Sequence, residues 1–168
     1  MGGLALSAWR YPRSTRDVDL LIGIGQHQPA ELIDTLATAG LTTRHVPPVR
    51  QLGELKLLQL EFEPPGTFIS IAVDLLLVDS EYHQHALSRC VQLTLEPMAR
   101  PIAVLSCEDL VLHKLLAGRI IDLSDAAALL RLNRGTVDIA YLKSWSGKLG
   151  VESDFAKVSL EAFGQPGP

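Results

Sequence analysis

Cysteine is scarce in this chain: Cys90 and Cys107 are the only two. Two isolated thiols supply neither a disulfide framework nor the paired spacing of a zinc site, so a reducing cytoplasm is the expected setting. Both then read as small packed apolar residues. No apolar run is long enough to cross a bilayer, and no signal peptide is expected ahead of the first motif, which argues against a membrane partner. An excess of positive charge is missing too. Lys and Arg number 15 against 19 Asp and Glu, a formal net charge of −4, which argues against a protein that holds nucleic acid mainly through bulk electrostatics. Internal repeats are absent, and the longest biased segment is the tail Gly164-Gln165-Pro166-Gly167-Pro168, expected to be disordered.

What remains is the composition of a folded protein. With 168 residues, 47% of them hydrophobic and 20% charged, the chain can bury a core as one domain, or as one domain with a small helical appendage. The stretch that organises it is the first twenty or so residues. Gly2 and Gly3 open a short helical run from Leu4 to Tyr11, Pro12-Arg13-Ser14-Thr15-Arg16 makes a turn, and Asp17-Val18-Asp19-Leu20-Leu21-Ile22 enters an apolar strand. Alternate strand residues share a face, so Asp17 and Asp19 project side by side, about 6.5 Å apart along the backbone. Two carboxylates that close repel each other unless something positive lies between them, and a divalent metal is the simplest candidate. A solvated strand end is the structural alternative. Arg10, Arg13 and Arg16 add a local basic cluster beside the pair.

The first strand runs from Val18 to about Gly23. Gly25 to Pro29 connects it to a helix that starts at Pro29-Ala30-Glu31, carries Leu32, Ile33, Leu36 and Ala37 at helical spacing, and stops at Gly40. Leu41–Val46 is expected to return as a strand until Pro47-Pro48 breaks it. Leu55–Phe62 is a further strand, with Leu55, Leu57 and Gln59 on one face and Lys56, Leu58 and Leu60 on the other. After the Pro64-Pro65-Gly66 turn, Phe68–Val78 reads as a central strand covered on both faces, because it is nearly all apolar.

Asp74 interrupts that strand, where a carboxylate is costly without a partner. An antiparallel pair closed by the Pro-Pro-Gly turn could bring it beside Asp17 and Asp19. A neighbouring arginine, or a cap on the following segment, would explain it equally well. Asp79 is read as the N-cap or first-turn acid of a helix over Ser80–Cys90, with His83 and His85 as solvated surface histidines that point to different sides. Val91–Leu95 and Ile102–Leu105 are short strands. From Ser106 the pattern turns helical: Ser106-Cys107-Glu108-Asp109 fits a capping box ahead of an apolar helix with Leu110, Leu112, Leu115 and Leu116. A second helix starts near Asp122 and carries Ala126, Leu129, Leu130 and Leu132. A third spans Val137–Lys148 before Gly150, and a fourth spans Asp154–Phe163.

The opening segment, Gly-Gly-Leu-Ala followed by Arg13-Ser14-Thr15-Arg16-Asp17-Val18-Asp19-Leu20-Leu21-Ile22, resembles the start of the nucleotidyltransferase superfamily that includes DNA polymerase beta. Within that superfamily it looks like the small bacterial proteins grouped with AbiEii-type toxins. The charged pattern Lys114…Arg119…Asp122-x-x-Asp125 resembles the stretch that follows the catalytic domain in those proteins. The resemblance implies an α/β (α+β) fold: a mixed β-sheet of about five strands flanked by helices, then a C-terminal helical segment. It places the catalytic core at residues 1–105, the helical segment at 106–163 and the tail at 164–168.

The same resemblance implies that Asp74 completes a carboxylate triad with Asp17 and Asp19, which serve as catalytic residues and as ligands of Mg2+ or Mn2+. Gly2, Gly3, Arg13, Thr15 and Arg16 would serve the triphosphate, with the glycines letting the backbone approach it. Lys114 and Asp122 would contact the nucleotide or brace the active-site wall; for Arg119 and Asp125 the same role and a salt bridge between helices both stand open. The implied reaction moves a nucleoside monophosphate from an NTP to an acceptor hydroxyl on tRNA or protein, in toxin–antitoxin or phage-defence biology with a cognate antitoxin as partner. In the family a helix and a short strand precede the double glycine. Here Met1 abuts Gly2, and a lost strand would leave a sheet edge open. That departure favours a rival reading, a nucleotide- or partner-binding module without turnover. A second rival is an antibiotic nucleotidyltransferase using the same site.

Overall fold

The computed structural model describes residues 1–25, 28–52, 55–94 and 99–164. In chain order its elements are α1 (Gly2–Ala8), β1 (Asp17–Gly23), α2 (Pro29–Thr38), β2 (Leu41–Thr43), β3 (Val49–Leu52), β4 (Leu55–Phe62), β5 (Ile71–Val78), α3 (Glu81–Ser88), β6 (Val91–Leu93), β7 (Ile102–Val104), α4 (Cys107–Ala117), α5 (Ile120–Leu132), α6 (Ile139–Leu149) and α7 (Glu152–Phe163). This is an α/β fold with a mixed, mostly antiparallel sheet and C-terminal helices. Two compact units divide the chain: Met1–Leu4 with Ser14–Ser88, and Ala5–Arg13 with Arg89–Pro168. The sequence reading drew its line at residue 105 instead.

The first unit is built on a sheet ordered β1-β5-β4-β2, with β3 also paired to β4. β1 runs parallel to β5, and β5 runs antiparallel to β4. β5 is interior, as a strand apolar at every position but Asp74 requires. One face of the sheet packs Leu58, Leu60, Val73, Leu75 and Leu77 against Leu32, Ile33 and Leu36 of α2. Those three recur at helical spacing, so a single stripe of α2 covers the face. Pro29 occupies the first helical position of α2, and Gly40 beyond its end takes a left-handed φ of 84°.

Several boundaries differ from expectation. β5 starts at Ile71, because the ladder to β4 ends at the Phe62–Ile71 pair and Phe68 and Ile69 stand exposed in the connection. β2 ends at Thr43, and β3 follows after the prolines. The polar pair Arg50-Gln51 hides that short strand from pattern reading. The cap of α3 is Ser80, whose Oγ accepts from the His83 amide at 3.3 Å, and not Asp79. His83 is buried with Tyr82 and Ala86, so of the two histidines only His85 is exposed. Burial also lowers the His83 pKa.

The second unit is helical apart from the antiparallel pair β6–β7. Ser106 caps α4 by accepting from the Asp109 amide at 3.1 Å, as the box pattern implied. Every residue of α4 from Cys107 to Leu115 is buried, which makes it the central helix of this unit. α5 packs on α4 and α7 through a wholly buried stripe of Ala126, Ala127, Leu129 and Leu130. Leu116 and Leu132, expected in the core, are exposed, each at the C-terminal end of its helix. The expected strand end at Leu95 and most of the expected tail, residues 165–168, lie outside the described residues; Gly164 is the left-handed cap of α7. Among the described residues no helix is long and apolar enough to cross a membrane.

Cavity formation at a wholly buried site should separate these positions. Leu58→Ala is expected to cost about 2–5 kcal/mol of unfolding free energy in urea, whereas Leu116→Ala should stay within about 0.5 kcal/mol of the parent.

Candidate functional site

In the first unit the pairing of β1 with β5 decides the arrangement. Their parallel register sets Asp19 against Asp74 and Asp17 against Ala72. Residues opposite one another in a ladder share a face, and so do residues two apart along a strand. Asp17, Asp19 and Asp74 therefore lie on one face of the sheet, the face opposite the α2-covered core. Adjacent strands are about 4.8 Å apart, so the backbones of Asp19 and Asp74 are immediate neighbours. Glu61, paired with Ala72, adds a fourth carboxylate to that face.

Local structure fits around these acids. Gly2 has a left-handed φ of 69°, and a Cβ at its position would lie 1.8 Å from Asp19 Oδ2. Only glycine satisfies both constraints. A Cβ on Gly3 would lie 2.6 Å from the Thr15 Cβ. Thr15 Oγ1 in turn donates to Asp17 Oδ1. Gly2, Gly3, Thr15, Asp17, Asp19 and Asp74 thus belong to one unit, and Arg16, exposed, belongs to it as well. Among the described residues, no group of three or more His, Cys, Asp or Glu side chains is already gathered to hold a metal ion.

Asp74 is partnered by neither of the groups the sequence suggested, an arginine or a capped segment. Gln59, its ladder partner on β4, donates from Nε2 to both Asp74 oxygens at 3.2 Å. Gln59 Oε1 accepts from His45 Nε2 at 3.0 Å and from Arg50 Nη1 at 3.3 Å. Sequence reasoning missed all three residues. One signal was available: Gln59 is a polar residue inside Leu57-Leu58-Gln59-Leu60, just as Asp74 is inside β5.

The remaining candidates lie in the second unit and are tied to one another. Lys114 Nζ lies 2.9 Å from Asp122 Oδ1 and 2.9 Å from Asp125 Oδ2, joining α4 to α5. Arg119 binds Asp122 from the start of α5, and Arg13 Nη1 reaches Asp125 Oδ2 at 3.1 Å. Both aspartates are buried. Burial pushes the Asp122 carboxyl up, but the hydrogen bonds from Arg119 and Lys114 outweigh it and hold the group below its ordinary range. A second network, absent from the sequence reading, surrounds Asp109. It accepts from Tyr141 Oη and Ser106 Oγ at 2.6 Å each and from Arg89 Nε at 3.2 Å. Burial and then the Asp109 bond push the Tyr141 hydroxyl up. Cys107 is buried, and its thiol is pushed up to about 12 by burial and by Glu108; it is a packing residue, not a nucleophile.

Removing Lys114 leaves two buried carboxylates short of a cation, so Lys114→Met is expected to lose about 3–5 kcal/mol of stability. Arg119→Ala, at an exposed side chain, should lose no more than about 1 kcal/mol. Urea unfolding of the two variants tests the contrast. A pH dependence follows as well. Because the folded Asp122 lies below its ordinary value of 3.8, the unfolded chain takes up that proton first as pH falls. Its stabilisation is therefore complete above 3.8 and drains away below it. Asp122→Asn should flatten the acid limb of a plot of urea midpoint against pH in that window.

No protein-family model and no curated protein matches the chain. Among solved structures, the chain is similar to that of an antigenic nucleotidyltransferase-like protein from Paracoccidioides brasiliensis: 19% of residues are identical, 100% of this chain and 84% of that one are covered, and the TM-score is 0.48.

Proposed function

We propose that the first unit is the core of a minimal nucleotidyltransferase, of the AbiEii-like kind that the Gly-Gly…Asp-x-Asp segment resembles. The observation that carries this reading is the Asp19–Asp74 ladder pair with Asp17 on the same face. The donor set is all oxygen, which suits Mg2+ or Mn2+. Magnesium is commonly held by one or two carboxylates together with substrate phosphates and waters, so the Asp19–Asp74 pair is a sufficient protein contribution and Asp17 a third donor on the same face. Bound there, the ion would neutralise phosphate charge and stabilise the oxygens that attack and leave.

The chain's own groups divide the remaining work. Gly2 and Gly3 let the backbone close up on Asp19 and Thr15, and Arg16 is an exposed cation for the charge of a triphosphate. Thr15 holds the Asp17 carboxylate by a hydrogen bond. Asp74 accepts the proton of the acceptor hydroxyl. That oxygen bonds to the α-phosphorus, the bond to the bridging oxygen of the β-phosphate breaks, and pyrophosphate leaves. Lys114, Asp122 and Arg13 are read as a brace of the helical unit, because each is already bound to a partner of opposite charge. The acceptor is a hydroxyl on tRNA or protein, and a cognate antitoxin is the partner expected of such an activity. The setting is the cytoplasm.

Incubation with each α-labelled NTP and magnesium tests the proposal, with total tRNA, lysate protein and aminoglycosides offered in turn. Label should move to one acceptor class. Asp74→Asn should lower the rate by about 10²–10⁴-fold, the range for loss of a positioned proton acceptor. Transfer at the wild-type rate by that variant would sink the assignment. Magnesium-dependent NTP binding without transfer would establish the binding module instead, and label on an aminoglycoside alone the antibiotic-modifying enzyme.

A further inference from the structure

Asp74 differs from the other strongly held carboxylates described above. Asp122 and Asp125 face Lys114 and arginines, and Asp109 faces Arg89. Their charge is cancelled where they sit. Asp74 is instead held by the neutral amide of Gln59 through two bonds of 3.2 Å. Among the described residues no lysine or arginine is paired with it.

The amide has a defined direction. An arginine side chain can only donate, so Arg50 Nη1 at 3.3 Å requires an oxygen from Gln59. His45 Nε2 approaches the same oxygen at 3.0 Å. With Oε1 fixed on that side, Nε2 must face Asp74. The relay Arg50 and His45 to Gln59 to Asp74 fixes where the carboxylate points without neutralising it. A lysine or arginine at position 59 would also donate to Asp74, but it would compete with any other cation for the same charge.

We infer that Gln59 is the positioning residue of Asp74: it orients a carboxylate that stays negatively charged and available to a divalent cation. This rests on the reading of Asp74 as a cation-facing acid. The positions agree with it. Gln59, Asp74 and Asp19 are consecutive partners across β4, β5 and β1, so the amide approaches Asp74 from the side opposite Asp19.

Electron paramagnetic resonance of Mn2+ titrated into the protein tests the inference without any substrate. Gln59→Met should weaken the ion by about 10–100-fold, the usual effect of losing a ligand's hydrogen-bond partner, and Asp74→Asn, which changes the ligand itself, by at least as much. Gln59→Lys should weaken it at least as much although a donor is kept, an outcome that a purely structural donor would not produce. Arg50→Met changes only an exposed side chain and should weaken the ion in the same direction even if Gln59→Met fails to fold. Wild-type affinity in the variants at positions 59 and 50, with Asp74→Asn weakened, would overturn this inference alone. Wild type and Asp74→Asn behaving alike would overturn the reading of the carboxylates and this inference with it.

Discussion

The arrangement of the first unit depends on one strand pairing, the parallel ladder of β1 and β5. A parallel pair needs a long connection, and here that connection carries α2 and the strands β2, β3 and β4. The register of the ladder is set on its apolar side, where Val18 and Ile22 pack with Val73, Leu75 and Leu77 beneath α2. Slipping β1 by one residue would turn those apolar side chains outward and the aspartates toward the helix. The hydrophobic core thus places the carboxylates: Asp19 is next to Asp74 because Val18 and Ile22 of β1 pack with Val73, Leu75 and Leu77 of β5 on the opposite face. Asp17 follows from the same period of two, and Gly2 from the lack of room beside Asp19 Oδ2.

That dependence explains how much could be read in advance. α2, β4 and β5 announce themselves by period, proline and glycine, and Asp74 stands out because its neighbours are Val73 and Leu75. The face shared by Asp17 and Asp19 followed from alternation, and the resemblance added Asp74 to them. The chemistry of Asp74's partner could not be read. Gln59 was recognised as a strand residue, but a glutamine in an apolar run carries no mark of what it will hold. β3 escaped notice because a four-residue strand paired only to β4 shows no pattern of its own. His83 was misread because the face α3 buries is decided by neighbours that spacing cannot name. In α4, pattern reading expected Leu116 in the core, and the resemblance gave Lys114 as a residue that contacts the nucleotide or braces the active-site wall. Burial reverses the first, and Lys114 is enclosed between two aspartates.

Lys114 shows what a charged motif can do for the packing of two helices. A carboxylate taken from water costs several kcal/mol unless it is paired, and Asp122 and Asp125 are almost fully enclosed. Placing a lysine between them, with Arg13 and Arg119 at the two ends, makes the junction of α4 and α5 tolerable. The depressed Asp122 pKa has the same origin: the bonds that hold the helices also hold the charge.

The two units therefore treat acids in opposite ways. In the helical unit the buried aspartates meet cations, so their charge is spent inside the protein and their positions serve packing. In the sheet unit Asp17 is met by a threonine hydroxyl and Asp74 by an amide, groups that orient a carboxylate and leave its charge intact. Setting Asp19 and Asp74 a single strand spacing apart places two acidic groups where like charges repel. Such an arrangement makes physical sense where an external cation offsets the repulsion, and the neutral character of the groups that hold Asp17 and Asp74 keeps that possibility open.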